Sequence, residues 1–307
     1  MDGGLVCDKP AQMTSHDVVA RVRRLAGQRR VGHGGTLDPP ATGVLVLALG
    51  RATRLLPFLP TEPKRYRARI AFGAETDTLD AAGTVTATAD ASRVDEAGLR
   101  AAMAGFLGPQ EQVPPMVSAI KVAGERLYAK ARRGEQVERA PRPIVIHALE
   151  LLDLSPGERP LATVDVVCSG GTYVRSLAAD LGRALGTLAH LDGLRRTAVG
   201  RFTEADAHPL DDLAGPGRLE AAVLDPAAAM ASTTSRGVRK WWRRTCASWS
   251  RSVSRCRLRC SDPFSGGCWA RRLSPSSSSR RRWAGCSSSG RCPVGVASRS
   301  RARTSRA

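Results

Sequence analysis

The sequence predicts an α+β fold: a mixed, mostly antiparallel sheet with flanking helices. Three observations carry this. Several segments alternate between apolar and polar residues at period two, as half-buried strands do. Others place apolar residues on one face of a 3.6-residue turn. The two kinds follow one another without a regular strand–helix–strand beat, and no repeat of fixed period is visible.

Taken in order, Gly3 to Asp8 reads as a short strand. Thr14 and Asp17 have the spacing of a capping box, which starts a helix with the stripe Val18, Val19, Val22 and Leu25 and an end at Gly27. A glycine-rich loop runs from Gly32 to Gly43, and Val44 to Leu49 follows as a buried strand. Lys64 to Phe72 alternates basic and less polar residues, so one face is wet and cationic; Val85 to Thr88 is expected to pair with it. Asp95 to Leu107 reads as a helix with Leu99, Met103 and Phe106 on one side. Pro114-Pro115 breaks the chain. Ile144 to Leu154 and Ala162 to Cys168 alternate like strands, and Gly170-Gly171 open a helix with the stripe Val174, Leu177, Ala178, Leu181 and Leu185.

The charge is unevenly placed. The 307 residues carry a formal +19, yet residues 232–307 hold +18 of it, leaving +1 for residues 1–231. The same cut takes all five Trp and six of the eight Cys. Residues 1–231 therefore read as the functional domain and 232–307 as a disordered Arg/Ser/Cys/Trp-rich tail. That tail composition fits GC-rich coding DNA translated out of frame from near residue 232, the alternative being a genuine Arg/Ser-rich RNA-binding tail. The longest apolar run, Val44 to Leu49, is far short of a bilayer span. Met1-Asp2-Gly3-Gly4 lacks the basic start of a signal peptide, so a cytoplasmic location is expected. Cys256 and Cys260 are spaced like half a metal site, but no second pair completes it, so no metal is expected.

The loop Gly32-His33-Gly34-Gly35-Thr36-Leu37-Asp38-Pro39-Pro40-Ala41-Thr42-Gly43 is the most informative stretch. It lacks the Gly-Lys-Ser/Thr ending of a phosphate-binding P-loop. It does hold a single carboxylate rigidly, between glycines and prolines and just before a buried strand. That suits a nucleophile or general base, and the residues alone lead no further than a candidate catalytic Asp38.

The motif GHGGTLDPPATG resembles the catalytic motif of the tRNA pseudouridine synthase B family. The resemblance continues in order through DKPAQMTSHD (Asp8 to Asp17), KRYRARIAFGAETDTLDAAG (Lys64 to Gly83), QVPPMVSAIK (Gln112 to Lys121), CSGGTYVRSLAADLG (Cys168 to Gly182) and LRR (Leu194 to Arg196), covering residues 3–230. Pro40 departs from the family's usual apolar residue. The tail departs further, since bacterial members usually end in a small RNA-binding domain.

The resemblance implies a pseudouridine synthase fold with a central active-site cleft, and an isomerase that converts uridine 55 in the T-loop of tRNA to pseudouridine without metal or cofactor. It makes Asp38 the nucleophile. Tyr66 would stack on the target base and serve in proton transfer. Arg175 would pair with Asp38, keep it ionised, and fix its direction through a bidentate guanidinium. A base within a folded tRNA arm must be flipped out to react, and His33 would stack in the vacated space. Leu194 would line the uracil pocket, and Tyr173, at the start of the helix after Gly170-Gly171, would be a further substrate-binding residue. Lys9 would lie by the cleft as a structural or phosphate-contacting group, with Lys64, Arg65, Arg67 and Arg69 supplying charge toward the phosphate backbone. The implied partner is the tRNA T-arm, engaged by a monomer, with no membrane. The alternative is a non-catalytic tRNA-binding or folding chaperone, against which the intact Asp38, Tyr66, Tyr173 and Arg175 speak.

Overall fold

The computed structural model describes residues 1–59, 61–118, 121–122, 125–127, 133, 135 and 137–229. The tail of residues 232–307, with Cys256, Cys260 and the out-of-frame reading, lies outside the described residues.

Fourteen described strands are β1 (Gly3–Lys9), β2 (Val31–His33), β3 (Thr42–Leu49), β4 (Lys64–Phe72), β5 (Ala74–Thr76), β6 (Val85–Thr88), β7 (Gly108–Gln112), β8 (Lys121–Val122), β9 (Glu125–Arg126), β10 (Arg142–Ser155), β11 (Leu161–Cys168), β12 (Ala189–Val199), β13 (Phe202–Thr203) and β14 (His208–Pro209). The described helices are α1 (Ser15–Leu25), α2 (Glu96–Ala104), α3 (Val174–Ala184), α4 (Arg218–Ala222) and α5 (Pro226–Ala229), with a 3-10 helix at Gly50–Phe58. Ten strands form one sheet in the order β14-β1-β3-β12-β4-β11-β10-β7, with β13 on β12 and β2 on β3. Among the described strands, only β1 with β14 and β12 with β3 pair in parallel. The fold is therefore α+β with a mixed, mostly antiparallel sheet, as the sequence predicts.

Helix α1 starts where the capping box places it: Thr14 Oγ1 accepts from Asp17 N at 3.1 Å, and Asp17 Oδ2 accepts from Thr14 N at 2.8 Å. The helix ends at Leu25, capped by Ala26, and Gly27 turns the chain at φ +58°. Its Val18, Val19 and Val22 pack on Leu5, Cys7, Leu45 and Leu47 of β1 and β3. The opposite face of the same two strands (Val6, Val44, Val46, Ala48) is covered by Ala52 and Leu55 of the 3-10 helix. Both faces of β3 are thus buried, which is why it reads as an unbroken apolar run. β4 has only one buried face, with Tyr66, Ala68, Ile70 and Phe72 inward and Arg65, Arg67 and Arg69 outward. Its inner face packs with β10 and β11 against α2 and α3.

Two expectations change. β6 pairs with β5, not with Lys64–Phe72. Both edges of β4 are already occupied, by β11 and β12, so no free ladder remains for a third strand. The helix expected over Asp95–Leu107 is the shorter α2, with Asp95 as its N-cap and Gly105 as its C-cap.

β12 joins the two halves of the sheet. It runs parallel to β3 and antiparallel to β4, and its Arg196 stands opposite Gly43 on one side and Tyr66 on the other. Gly43 sits at φ +101°, and a Cβ there would lie 2.3 Å from Arg196 O, so glycine is required where the strands close. Among the described residues, no helix is long and apolar enough to cross a membrane.

Candidate active site

Asp38 stands on the loop between β2 and β3, and three buried side chains and one backbone hydrogen bond fix that loop. Ser15 Oγ accepts from Leu37 N at 2.9 Å and donates to Leu37 O at 3.2 Å. Lys9 Nζ donates to Pro39 O at 3.1 Å, as well as to Pro10 O at 2.8 Å and Met13 O at 2.6 Å. Arg196 donates to Gly35 O and Thr36 O, each at 3.3 Å, and to Val44 O at 2.7 Å. Ala41 N closes the turn on Asp38 O at 3.1 Å. The turn closes through Ala41 N rather than residue 40, whose proline has no N–H to donate.

The Asp38 carboxylate, 40% exposed, faces an open cleft that Asp80, Arg175, Leu191 and Leu194 also line. Arg175, on the first turn of α3, is 4% exposed. Its Nη2 lies 3.0 Å from Asp38 Oδ2 and its Nη1 lies 3.4 Å from Asp80 Oδ2. The same nitrogens donate to Val117 O at 2.8 Å and Thr78 O at 3.1 Å. The expected bidentate grip on Asp38 is therefore corrected: the guanidinium divides its two arms between two carboxylates. Asp80 is itself held by Thr78 Oγ1 at 2.7 Å and Ala82 N at 3.0 Å. The turn that carries it docks on β12 through Ala81 N to Leu191 O at 2.9 Å.

Crowding by protein on its closed sides pushes the Asp38 carboxyl above the usual carboxylate range. Arg175 is the main opposing influence, Asp80 adds to the rise, and Lys9 pulls down. Tyr66 is buried opposite Arg196, and burial raises its phenol above the usual tyrosine value, so it is a neutral hydroxyl at physiological pH.

Tyr173 caps α3 through its backbone. Gln112 Oε1 accepts from Tyr173 N at 2.8 Å, and Gln112 Nε2 donates to Tyr173 O at 3.1 Å. His33 is half-buried at the end of β2, its ring edge-on to His16 at 5.2 Å between centroids, and burial lowers its pKa. Leu194 borders the cleft from β12. Lys9 is fully buried, and its ammonium donates to three carbonyls. An ammonium has three donors, so none is left for a phosphate, and of the two expected roles the geometry supports the structural one.

The structure thus brings Asp38, Arg175 and Leu194 to one cleft, with Lys9 beneath the loop, Tyr66 on the adjoining strand and Tyr173 at the mouth of α3. Sequence reasoning missed four residues of this assembly: Ser15, Asp80, Gln112 and Arg196. Each lies in a recognised motif, but their tasks depend on partners 22 to 161 positions away.

Two family models match the chain. The N-terminal domain of the TruB family of pseudouridylate synthases matches residues 23–174, and the C-terminal domain of tRNA pseudouridylate synthase B matches residues 175–224. These matches run across the sheet and the cleft just described and place the chain among the pseudouridylate synthases. Among curated relatives, the tRNA pseudouridine synthase B of Symbiobacterium thermophilum is 54% identical over 230 residues, covering 75% of this chain and 76% of that protein. Its counterpart from Thermobifida fusca is 51% identical over 218 residues, covering 69% and 74%. The chain belongs to the TruB family of pseudouridylate synthases. A solved Cbf5-Nop10-Gar1 complex is similar at a TM-score of 0.56 and 31% identity, covering 74% of this chain and 61% of that one. An H/ACA RNP bound to a substrate RNA containing 2'-deoxyuridine gives 0.53 and 28%, covering 74% and 60%. The chain spans about three fifths of each of those solved chains.

Proposed function

We propose that this chain isomerises uridine 55 in the T-loop of tRNA to pseudouridine, with Asp38 as the nucleophile. The observation that carries the reading is the Asp38–Arg175 contact of 3.0 Å, set in an open cleft beneath a loop that buried side chains hold rigid. The names of the relatives support tRNA as the substrate.

In the reaction the C1′–N1 bond breaks, the detached uracil turns, and C5 bonds to C1′. A proton leaves C5 and one is gained at N1, so the product is an isomer of the substrate. Arg175 favours the ionised form of Asp38 that nucleophilic attack requires. Its contact is with Oδ2 of the carboxylate, and Asp38 itself lines the open cleft. Tyr66 presents a ring for stacking on the flipped base and a hydroxyl for the proton at C5. His33 occupies the space left in the RNA, while Tyr173 and Leu194 border the uracil. The enzyme acts as a monomer on the T-arm in the cytoplasm, without metal or cofactor.

Tritium release from C5-labelled uridine in tRNA tests this. Asp38→Asn is expected to abolish release while leaving tRNA binding within about twofold. Substantial release by that variant overturns the nucleophile assignment. Wild-type protein that binds tRNA without releasing tritium favours the chaperone alternative.

A further inference from the structure

Of the four basic residues that open β4, the three arginines point outward and the lysine does not. Arg65 is paired with Asp165 at 2.7 Å and Arg69 with Asp192, while Arg67 is exposed beside them. Lys64 shares the inner side of β4 with Tyr66 and is only partly exposed. Among the described residues its ammonium makes no hydrogen bond, and no carboxylate lies within 4 Å of it. Glu62, whose charge acts on Lys64, uses Oε1 to accept from Gly170 N at 2.9 Å.

Lys64 also lies beside a second uncompensated cation. The point that a Cβ would occupy at Gly35 is 3.8 Å from Lys64 Nζ and 3.8 Å from Arg196 Nη1. Arg196 is 1% exposed, and no carboxylate lies within 4 Å of it among the described residues; its charge is set against carbonyl oxygens. Two like charges converging on one side-chain-free spot, partly out of water, repel each other. Burial and Arg196 both lower the Lys64 pKa accordingly. Glu62 pulls the other way, but among the described residues no carboxylate pairs with Lys64, and an anion at this spot would relieve the repulsion.

We propose that Lys64, in the field of Arg196 and over the bare backbone of Gly35, is the subsite for an RNA phosphate flanking the flipped uridine. The inference rests on the functional reading above and names a specific contact within that site. Spacing supports it. Lys64 and Tyr66 are two residues apart on one strand face, about 7 Å, which is close to the separation of successive nucleotides along a backbone. With the base against Tyr66, an adjoining phosphate falls at Lys64. Gly35, three residues before Asp38, leaves room for it. Arg196 is too buried to touch the phosphate and acts through its charge.

The test uses the full chain and T-arm RNA hairpins in which the phosphate 5′ or 3′ of the target uridine is a neutral methylphosphonate. Wild type, Lys64→Met and Lys64→Arg are compared for binding across a salt series and for kcat and KM. Lys64→Met is expected to raise KM roughly tenfold with little change in kcat, as loss of one charge-assisted contact does. Its salt slope for binding should be about one unit shallower. Lys64→Arg should recover most of the affinity. One methylphosphonate should weaken binding by wild type and Lys64→Arg but not by Lys64→Met. Equal sensitivity of wild type and Lys64→Met to both substitutions, or an unchanged salt slope, overturns the proposal. Tritium release by wild type reads the functional assignment separately. Its absence alongside an intact methylphosphonate pattern overturns the isomerisation and leaves the phosphate subsite standing.

Discussion

Asp38 and Arg175 meet at 3.0 Å in surroundings that pull the carboxyl two ways: burial raises its pKa and Arg175 lowers it. Activity that needs the carboxylate falls as pH drops through the folded pKa of Asp38. Removing Arg175 removes the main influence that lowers this pKa. Arg175→Met is therefore expected to move the acid limb of the pH–kcat profile to higher pH and to reduce kcat by more than tenfold, with a smaller change in tRNA binding. Asp80 acts in the opposite sense, so Asp80→Asn should shift the same limb to lower pH. Matching shifts for both variants would refute this account of the site. At this scale the nucleophile was legible, because a lone acid framed by glycines and prolines is conspicuous in a sequence. Asp80 was not, because nothing in its neighbourhood of the chain announces that residue 175 reaches it.

Among the elements, α1 is the clearest case of local chemistry setting local structure. The reciprocal Thr14–Asp17 bonds satisfy two donors at the helix start, and Thr14→Ala should cost about 1 kcal/mol of unfolding free energy, read from chemical denaturation. β12 is the opposite case. Its sequence AHLDGLRRTAV shows weak alternation, yet it lies between β3 and β4 at the middle of the sheet. Arg196→Met leaves the carbonyls of Gly35, Thr36 and Val44 without their donor, which should cost on the order of 3 kcal/mol or more and loosen the Asp38 loop. Denaturation midpoints together with kcat measure both effects. β6 was misplaced for a related reason: its own residues specify a strand, but only the occupied edges of β4 determine that its partner is β5.

For the whole molecule, the contacts described around Asp38 all come from residues 1–229, a stretch that is nearly neutral within a chain of formal charge +19. A protein ending at residue 231 is accordingly expected to keep tritium release within a few-fold of the full chain at saturating tRNA, while losing part of the salt dependence that the basic tail adds. Loss of turnover on truncation would show that the tail takes part in catalysis. The nucleotide sequence around codon 232, read in all three frames, tests the out-of-frame origin of the tail. By itself the sequence determined the fold class, the helix start at Thr14, the inward and outward faces of β4, and the loop that presents Asp38. These depend on residue spacing over a few positions, which a linear chain displays directly. Only the tertiary structure decided that β12 joins the two half-sheets, that Arg175 divides its guanidinium between Asp38 and Asp80, that Lys9 and Arg196 clamp the loop from below, and that Lys64 turns inward beside Gly35. Those outcomes depend on which strand edges are free and which carbonyls lie within 3 Å or so of a buried cation, and long-range folding alone settles such matters.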